Sequence, residues 1–266
     1  MLIDQKTSAQ LISVAHEMAD AARAAILPFF RTSALDTENK LSEGFDPVTV
    51  ADRAAEKAMR DVLAKHRPED GIFGEEFGSS HGSTGLTWVL DPIDGTRGFI
   101  SGTPTWGVLI AVSDETGPRL GIVDQPYIGE RFFGGFGHAE LTGPSGVMPL
   151  KTKETTELSE AILFTTFPEV GTPTERAAFE RVAEVAKLTR YGMDCYAYAL
   201  LAAGQADLVI EAGLNAYDIQ GPIGVIEAAG GIVTDWDGNP AHDGGTALAA
   251  ATPELHAKAL AILRKS

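Results

Sequence analysis

The sequence predicts a layered fold of the α/β class, with helices and sheets in alternate layers. Two amphipathic helices precede the first convincing strand, which argues against an opening βαβ unit. Short apolar runs separated by glycine-rich turns then indicate a largely antiparallel sheet in the N-terminal part. Beyond about residue 150, strands and helices alternate. We therefore predict one compact functional unit with two halves, 1–150 and 151–266.

The first half is predicted to start with two helices. Apolar residues recur at three- and four-residue spacing between 11 and 29, and Ser8 is the expected N-cap of this first helix. A polar stretch, 32–45, separates it from a second helix that begins at about Thr49. The strands of this half are predicted at the apolar runs 72–74, 88–90, 106–112, 120–123 and 131–133.

The second half shows a different pattern, in which strands and helices take turns. The predicted elements are a strand at 161–164, helices at 173–186 and 195–203, a strand at 208–211, a helix at 219–229 and a strand at 232–234.

The composition is that of a soluble globular protein. Of 266 residues, 44% are hydrophobic and 22% are charged, which excludes disordered, collagen-like and membrane-spanning chains. The formal net charge of −16 repels nucleic acids and anionic membranes, so neither is expected as a partner. An anionic substrate would need a local reversal of this field, and a metal ion is the simplest way to provide it.

Cysteine usage and the N-terminal segment indicate the cellular setting. Cys195 is the only cysteine, so neither an internal disulfide nor a cysteine metal cage is expected. The N-terminal segment has an acid at Asp4 and no uninterrupted apolar core, unlike a signal peptide. We therefore expect a reducing, cytoplasmic environment.

Two carboxylates follow a predicted strand in the segment WVLDPIDGT at 88–96. Asp91 and Asp94 lie at the carboxyl end of that strand, where ligands of open α/β sheets collect. The amides of Gly95 and Thr96 are placed to open a short helix that attracts an anion. Oxygen ligands without nearby cysteine or histidine favour Mg²⁺ or Mn²⁺, and two ions about 3.5–4 Å apart would activate water. An isolated DxxD, in contrast, is most often a solvated turn carboxylate followed by a helix cap.

Three motifs together resemble the signatures of the inositol monophosphatase superfamily of metal-dependent phosphomonoesterases. They are GEE at 74–76, WVLDPIDGT at 88–96 and AYDIQGPIGVIEAAGG at 216–231, and the resemblance covers nearly the whole chain. It implies the αβαβα sandwich of that family. The DxDGT motif of haloacid-dehalogenase-like phosphatases has one residue between its aspartates where this chain has two. A covalent aspartyl-phosphate is therefore not expected.

The resemblance implies a role for each acidic residue of these motifs. Glu75 would bind a metal and help to orient the attacking water, and Asp91 would bridge two metals. The backbone carbonyl of Ile93 would add a ligand to one metal, and Asp94 and Asp218 would complete the second site. The implied cofactor is two or three Mg²⁺ ions per site, with Mn²⁺ as an alternative.

Further residues are assigned by the same resemblance. Thr96, hydrogen-bonded to Asp52, would help to deprotonate the nucleophilic water, and the amides of Gly95 and Thr96 would hold phosphate oxygens. The implied chemistry is direct in-line hydrolysis by a metal-activated water. Glu76 is expected in a solvated or hydrogen-bonded role more than as a ligand. Lys40 is interpreted equally well as a neighbour of the metal site and as a surface residue.

Other segments resemble the histidinol-phosphate phosphatases of the same superfamily. These are TRGFISGTPTWG at 96–107, RYGMDCYAY at 190–198 and YDIQ at 217–220. The substrate of that branch carries an ammonium group and an imidazole. Asp194 and Glu211 would pair with those cations, whereas neutral inositol hydroxyls would gain less from them.

Each candidate substrate residue also has a structural interpretation. Asp194 would cap the helix that begins near Cys195, and Glu211 would be a solvated carboxylate at a strand end. Arg97 would contact phosphate, contact a partner subunit or be solvated. Gly98 stands where the histidinol-phosphatase branch often has serine. The aromatic residues Trp106, Tyr191, Tyr196 and Tyr198 are interpreted as packing residues rather than as a platform for an imidazole.

The sequence therefore predicts a Mg²⁺-dependent phosphomonoesterase that acts on a small ester, with histidinol phosphate as the expected substrate. The alternatives are an inositol-1-monophosphatase-like or other sugar or nucleotide phosphatase, and a regulatory binding protein that retains the fold. The presence of every expected carboxylate weighs against the last. The first half would supply most metal ligands, and the second half would supply Asp218 and the substrate-pocket residues. A homodimer is expected because members of the family usually form one.

Overall fold

The computed structural model describes residues 3–32, 37–39 and 47–265. Lys40 lies outside the described residues. The helices are α1 Gln5–Ile26, α2 Val50–His66, α3 Thr96–Ser101, α4 Pro173–Ala183, α5 Tyr196–Ala202, α6 Ala216–Ala228 and α7 Pro253–Leu263. The strands are β1 Thr37–Asn39, β2 Pro47–Thr49, β3 Gly71–Gly74, β4 Gly78–Ser80, β5 Thr87–Asp94, β6 Gly107–Asp114, β7 Gly117–Gln125, β8 Glu130–Gly135, β9 His138–Gly143, β10 Gly146–Pro149, β11 Ile162–Thr165, β12 Leu188–Tyr191, β13 Leu208–Leu214, β14 Ile232–Thr234 and β15 Gly245–Ala250.

The first sheet has eight strands in the order β10-β9-β8-β7-β6-β5-β3-β4. Its neighbours are antiparallel except for β3 and β5, which run parallel, so the predicted largely antiparallel sheet is confirmed. The turn between β6 and β7 shows why hairpins form here. The Asp114 carboxylate accepts a hydrogen bond from the Thr116 amide at 2.9 Å, and Gly117 adopts a φ of 112° that side chains disfavour.

The second sheet has five strands in the order β12-β11-β13-β15-β14. Strand β11 runs parallel to both β12 and β13, whereas β15 pairs antiparallel with β13 and β14. Strand β13 is thereby central, and its first four residues are buried.

Helices fill the spaces outside and between the two sheets. Helices α1 and α2 pack together and against the first sheet, and α5 and α6 lie between the sheets. Helices α4 and α7 pack on the outer face of the second sheet. Three buried clusters of apolar side chains lie between these layers. Burial of their apolar surface stabilises the packing of the layers. The αβαβα order of layers expected from the family resemblance is confirmed.

The start of α1 corrects one expectation. The side chain of Asp4 accepts a hydrogen bond from the Thr7 amide at 2.7 Å, so Asp4 is the N-cap and not Ser8. Ser8 lies inside the helix, and its hydroxyl donates to the Gln5 carbonyl. The helix therefore begins about one turn before the expected position, because the Asp4 carboxylate accepts a hydrogen bond from a free amide of the first turn. None of the helices in the described ranges is long and apolar enough to cross a lipid bilayer.

Candidate active site

A cavity of about 400 Å³ lies where the end of β5 faces α5, the start of α6 and the end of β13. Both halves of the chain contribute to its wall. The predicted site residues that line it are Glu75, Asp91, Ile93, Asp94, Gly95, Thr96, Arg97, Asp194, Glu211 and Asp218. Asp52 is not among the described residues that line this cavity.

Three of the acids meet at one point of the cavity. Carboxylate oxygens of Asp91, Asp94 and Asp218 all lie within 4.8 Å of one another. Residues three apart on a regular strand point to opposite faces of the sheet. The pairing of β5 with β6 is irregular between Asp91 and Asp94, and Pro92 lies at this irregularity. This local break in the strand allows both aspartates to face the same cavity.

Backbone amides orient two of these carboxylates. Asp218 is the third residue of α6, and its Oδ2 accepts a hydrogen bond from the Asn215 amide at 2.7 Å. This capping box fixes the side chain at the start of the helix. Asp94 Oδ2 accepts a hydrogen bond from the Cys195 amide at 2.7 Å, which ties the end of β5 to the turn before α5.

The electrostatics of the cluster favour the binding of a cation. Burial, the charge of Glu75 and the charges of the other two aspartates raise the pKa of Asp91 well above its usual value. Burial and the neighbouring Asp218 do the same to the pKa of Asp94, and burial raises that of Asp218 to about 6. Such a cluster of acids is unfavourable unless a cation compensates it. Because every donor is a hard oxygen, the set fits Mg²⁺ or Mn²⁺.

Glu75 reaches this cluster from the turn after β3. The buried carboxylate of Glu56, on α2, accepts hydrogen bonds from the amides of Glu76 at 2.6 Å and Phe77 at 3.2 Å. Arg60 pairs with the same carboxylate at 2.8 Å. A Cβ atom at Gly74 would lie 2.0 Å from Glu56 Oε1, so the glycine of the GEE motif makes room for this anchor. Glu76 is not among the described residues that line the cavity.

The prediction that Thr96 is hydrogen-bonded to Asp52 is wrong. The Thr96 hydroxyl donates to the Ile93 carbonyl at 3.1 Å. Asp52 is the third residue of α2, and its Oδ2 accepts hydrogen bonds from the amide and the hydroxyl of Thr49 at 2.8 and 2.6 Å. The capping box of α2 therefore engages Oδ2 of the carboxylate. Burial, opposed by these hydrogen bonds and helped by the charge of Glu75, raises the pKa of Asp52 to about 7.

Asp194 faces the cavity instead of capping α5. Its carboxylate accepts a hydrogen bond from the Thr105 hydroxyl at 3.0 Å, and the N-cap of α5 is Cys195, without a side-chain hydrogen bond. The backbone of Asp194 adopts a φ of 46°, which is uncommon for a residue with a side chain. A Cβ atom at Gly98 would lie 3.1 Å from Asp194 Oδ2, so glycine at 98 leaves room for this carboxylate.

Glu211 is also built into the cavity wall rather than solvated. It lies on the central strand β13 with 7% of its surface exposed. Its Oε1 accepts hydrogen bonds from the amide and the hydroxyl of Thr166 at 2.7 and 2.9 Å. Burial raises its pKa to about 7, although these hydrogen bonds act in the opposite direction.

Arg97 is the single basic residue among the described residues that line the cavity. Its guanidinium lies 5.1 Å from the ring centroid of Phe167, which also lines the cavity. Its positive charge acts to lower the pKa of Asp194, which burial raises. The cavity thus combines six acidic side chains with one basic side chain, so its charge favours cations.

Several residues of the site were missed by the sequence analysis. Thr105 and Thr166 hold the carboxylates of Asp194 and Glu211, and Glu56 anchors the turn that carries Glu75. Phe167 had no sequence signal, because a single aromatic residue in a loop is not distinctive. Glu56 had a weak signal, since an acid at a buried helical position four residues after Asp52 requires a partner.

The chain is similar in sequence and in structure to known proteins. Residues 7–266 match the inositol monophosphatase family. The bifunctional phosphatase IMPL2 of Arabidopsis thaliana, a chloroplastic protein, is 42% identical over 85% of this chain, and the match spans 64% of the plant protein. A histidinol-phosphatase of Mycobacterium tuberculosis is 35% identical over 87% of this chain and 90% of that protein.

The fold has solved counterparts. The structure of an inositol monophosphatase from Zymomonas mobilis superposes with a TM-score of 0.84 at 38% sequence identity. The match covers 96% of this chain and 97% of that protein. The relatives therefore share the fold and include proteins named for two different substrates.

Proposed function

Because the chain belongs to the inositol monophosphatase family, we propose that it is a Mg²⁺-dependent phosphomonoesterase that hydrolyses L-histidinol phosphate to L-histidinol and phosphate. The observation that carries this proposal is the pair formed by the half-buried carboxylate of Asp194 and the buried carboxylate of Glu211, beside the aspartate cluster. Both line the cavity, and each is held by a threonine hydroxyl. They offer anionic oxygens to the cationic part of the substrate while the phosphate lies at the metal.

The aspartate cluster would hold the metal. Asp91, Asp94 and Asp218 would bind it through carboxylate oxygens, with Glu75 and the Ile93 carbonyl as further ligands. When bound, Mg²⁺ supplies an activated water and neutralises charge on the phosphate and the departing oxygen. The protein orients two of the ligands with the amides of Asn215 and Cys195.

The remaining residues position the ester. We assign the phosphate oxygens to the amides of Gly95 and Thr96, which line the cavity at the start of α3. Arg97 lies beside Phe167 and acts on Asp194, so it balances part of the negative charge of the wall. Asp194 and Glu211 then pair with the ammonium and imidazolium groups of histidinol phosphate. A neutral inositol ring would gain less from these two charges.

The substrate assignment is tested by comparing esters on the same enzyme. We expect kcat/KM for L-histidinol phosphate to exceed that for inositol 1-phosphate by at least about tenfold, the effect of one charge-assisted contact. Asp194→Asn should remove most of this preference, whereas Asp237→Asn, an exposed aspartate outside the cavity, should retain it. Equal or reversed preference in the unmodified enzyme would contradict the assignment to histidinol phosphate and favour the inositol alternative.

The metal requirement is tested separately. Treatment with a chelator should abolish phosphate release from every ester, and added Mg²⁺ should restore it. Unchanged hydrolysis after removal of divalent cations would contradict the metal mechanism whatever the substrate. The homodimer and the cytoplasmic setting stay predictions, and light scattering of the purified protein measures the first.

A further inference from the structure

Tyr198 is a buried tyrosine in the wall of the cavity. It lies on α5 with 3% of its surface exposed, and it lines the cavity beside Glu211. Its hydroxyl oxygen is buried and makes no hydrogen bond to any of the described residues. A buried hydroxyl without a hydrogen bond is unfavourable, and a phenylalanine would fill the same space without that cost. Packing alone, the role expected from the sequence, therefore does not explain the hydroxyl.

The surroundings of this hydroxyl are acidic. Burial, and then the negative charges of Glu211, Asp94 and Asp218, raise the pKa of Tyr198 well above its usual value. The phenol keeps its proton at neutral pH and is able both to donate one hydrogen bond and to accept another. It is therefore suited to lie between a carboxylate, to which it donates, and a ligand N–H or O–H group, from which it accepts.

We propose that Tyr198 is a substrate-positioning residue that acts with Glu211 and Asp194 on the alcohol part of the phosphate ester. The ester that fits carries N–H or O–H donors on that part, as an amino alcohol does. In the complex, the Tyr198 hydroxyl donates to a neighbouring carboxylate and accepts from the ligand. The oxygen is covered by its neighbours in this structure, so this contact requires a small side-chain movement when the substrate enters. The inference rests on the proposed phosphatase function.

The same helix offers a matched control. Tyr196 lies two residues earlier on α5, and its hydroxyl donates to the Glu130 carboxylate. It is not among the described residues that line the cavity, and its ring packs against Phe132. Removing the hydroxyl of Tyr196 deletes a hydrogen bond present in this structure, whereas removing that of Tyr198 deletes none.

The experiment compares Tyr198→Phe with Tyr196→Phe in two measurements. The first is the melting temperature without substrate. The second is kcat/KM for L-histidinol phosphate, inositol 1-phosphate and p-nitrophenyl phosphate, whose alcohol part has no hydrogen-bond donor. We expect Tyr198→Phe to leave the melting temperature unchanged or to raise it. It should lower kcat/KM about tenfold for whichever of L-histidinol phosphate and inositol 1-phosphate the unmodified enzyme prefers. The change for p-nitrophenyl phosphate should be much smaller. Tyr196→Phe should lower the melting temperature by about 2–4 °C and spare all three activities.

The outcomes separate this inference from the proposed function. An equal loss of kcat/KM for all three esters, or no loss for the preferred one, would overturn the role of Tyr198. So would a fall in melting temperature as large as that of Tyr196→Phe, because it would show a bond within the protein itself. The ranking of histidinol phosphate and inositol 1-phosphate by the unmodified enzyme decides the substrate independently. The effect of Tyr198→Phe is measured on whichever of the two esters has the higher kcat/KM with the unmodified enzyme.

Discussion

The two ends of the cavity hold their acids in different ways. We call Asp91, Asp94 and Asp218 the metal end, after their proposed role, and their oxygens lie within 4.8 Å of one another. We call Asp194 and Glu211 the alcohol end, after the part of the substrate that they are proposed to bind, and each accepts a hydrogen bond from a threonine hydroxyl. The first group also accepts hydrogen bonds from the amides of Cys195 and Asn215, but its three carboxylates repel one another, and a cation would relieve this repulsion. The second group is held by hydrogen bonds from two threonine side chains.

This difference suggests how one acidic cavity would both bind a metal and recognise the alcohol part of the ester. At the metal end, burial and then the neighbouring negative charges raise the pKa values of Asp91 and Asp94, and a bound divalent cation would remove that cost. At the alcohol end, burial also raises the pKa values of both carboxylates, but the hydrogen bonds from Thr105 and Thr166 act in the opposite direction, and a cationic or hydrogen-bonding ligand would stabilise the charged forms further. We therefore expect substitutions at the metal end to reduce turnover for every ester. Substitutions at the alcohol end should change mainly which ester is preferred.

The largest expected effect is that of Asp94→Asn at the metal end. Loss of this negative charge should reduce kcat by about 10³-fold or more for all esters, because it weakens the metal that activates the water. Without metal the melting temperature should stay unchanged or rise, since repulsion by Asp218 is relieved and the amide oxygen still accepts from Cys195. The measurements are steady-state kinetics and thermal unfolding with a chelator present.

The control for this variant is Asp61→Asn, which changes an exposed aspartate paired with Lys57. It should leave both activity and melting temperature nearly unchanged. If Asp94→Asn retained turnover on one ester while losing it on another, the division of the cavity into a metal end and an alcohol end would fail.

Much of the fold follows from sequence patterns, and the exceptions have physical causes. The strands β5 to β8 were predicted because their apolar runs are bounded by glycine-rich turns. Strand β15 was not predicted, since its sequence GTALAA has little β-propensity and becomes a strand by pairing with β13 and β14. Helix α6 begins three residues before the predicted start, because the capping box of Asn215 and Asp218 begins it.

The metal end was easier to predict than the alcohol end. Its carboxylates belong to short motifs with fixed spacing, so a single segment supplied both Asp91 and Asp94. The partners that define the alcohol end, Thr105 and Thr166, lie 89 and 45 residues away from the carboxylates that they hold. No local pattern reports such a contact. The error at Asp52 had a local signal, because Thr49 followed by an acid three residues later is itself a capping box.

A smaller effect is expected from Glu56→Gln, which tests how the metal end is held in place. The glutamine is able to replace only part of the acceptor capacity that serves the amides of Glu76 and Phe77 and the guanidinium of Arg60. The turn that carries Glu75 should loosen. We expect the Mg²⁺ concentration for half-maximal activity to rise by about 10- to 100-fold, with kcat largely recovered at saturating Mg²⁺.

Direct binding of Mg²⁺, measured by calorimetry, should weaken in parallel in this variant. The matched control is Asp70→Asn, a buried aspartate that pairs with Arg67 and accepts from Trp88. It should lower the melting temperature without changing the Mg²⁺ requirement. An unchanged Mg²⁺ affinity in Glu56→Gln would show that Glu56 serves only the fold.

The smallest effect is expected at the alcohol end, from Glu211→Gln as a function of pH. Burial raises the pKa of Glu211 from 4.5 to about 7 in the folded protein. Its contribution to stability is therefore complete below pH 4.5 and is lost as the pH rises through 7. Glutamine has no such loss and still accepts from Thr166. Relative to the unmodified protein, the variant should gain about 2–4 °C in melting temperature between pH 5 and pH 8, which corresponds to about 1 kcal/mol.

In the unmodified enzyme, kcat/KM should rise over the same pH range in which the contribution of Glu211 to stability falls. In the unmodified enzyme, deprotonation of Glu211 near pH 7 supplies the charge that pairs with the ammonium of histidinol phosphate, so kcat/KM should rise through that pH. Glu211→Gln should flatten this rise for histidinol phosphate but not for p-nitrophenyl phosphate. Glu157→Gln, an exposed glutamate paired with Lys258, should retain both pH profiles. A variant that lost stability at pH 8 yet kept the rise in kcat/KM would place Glu211 in the fold rather than in substrate binding.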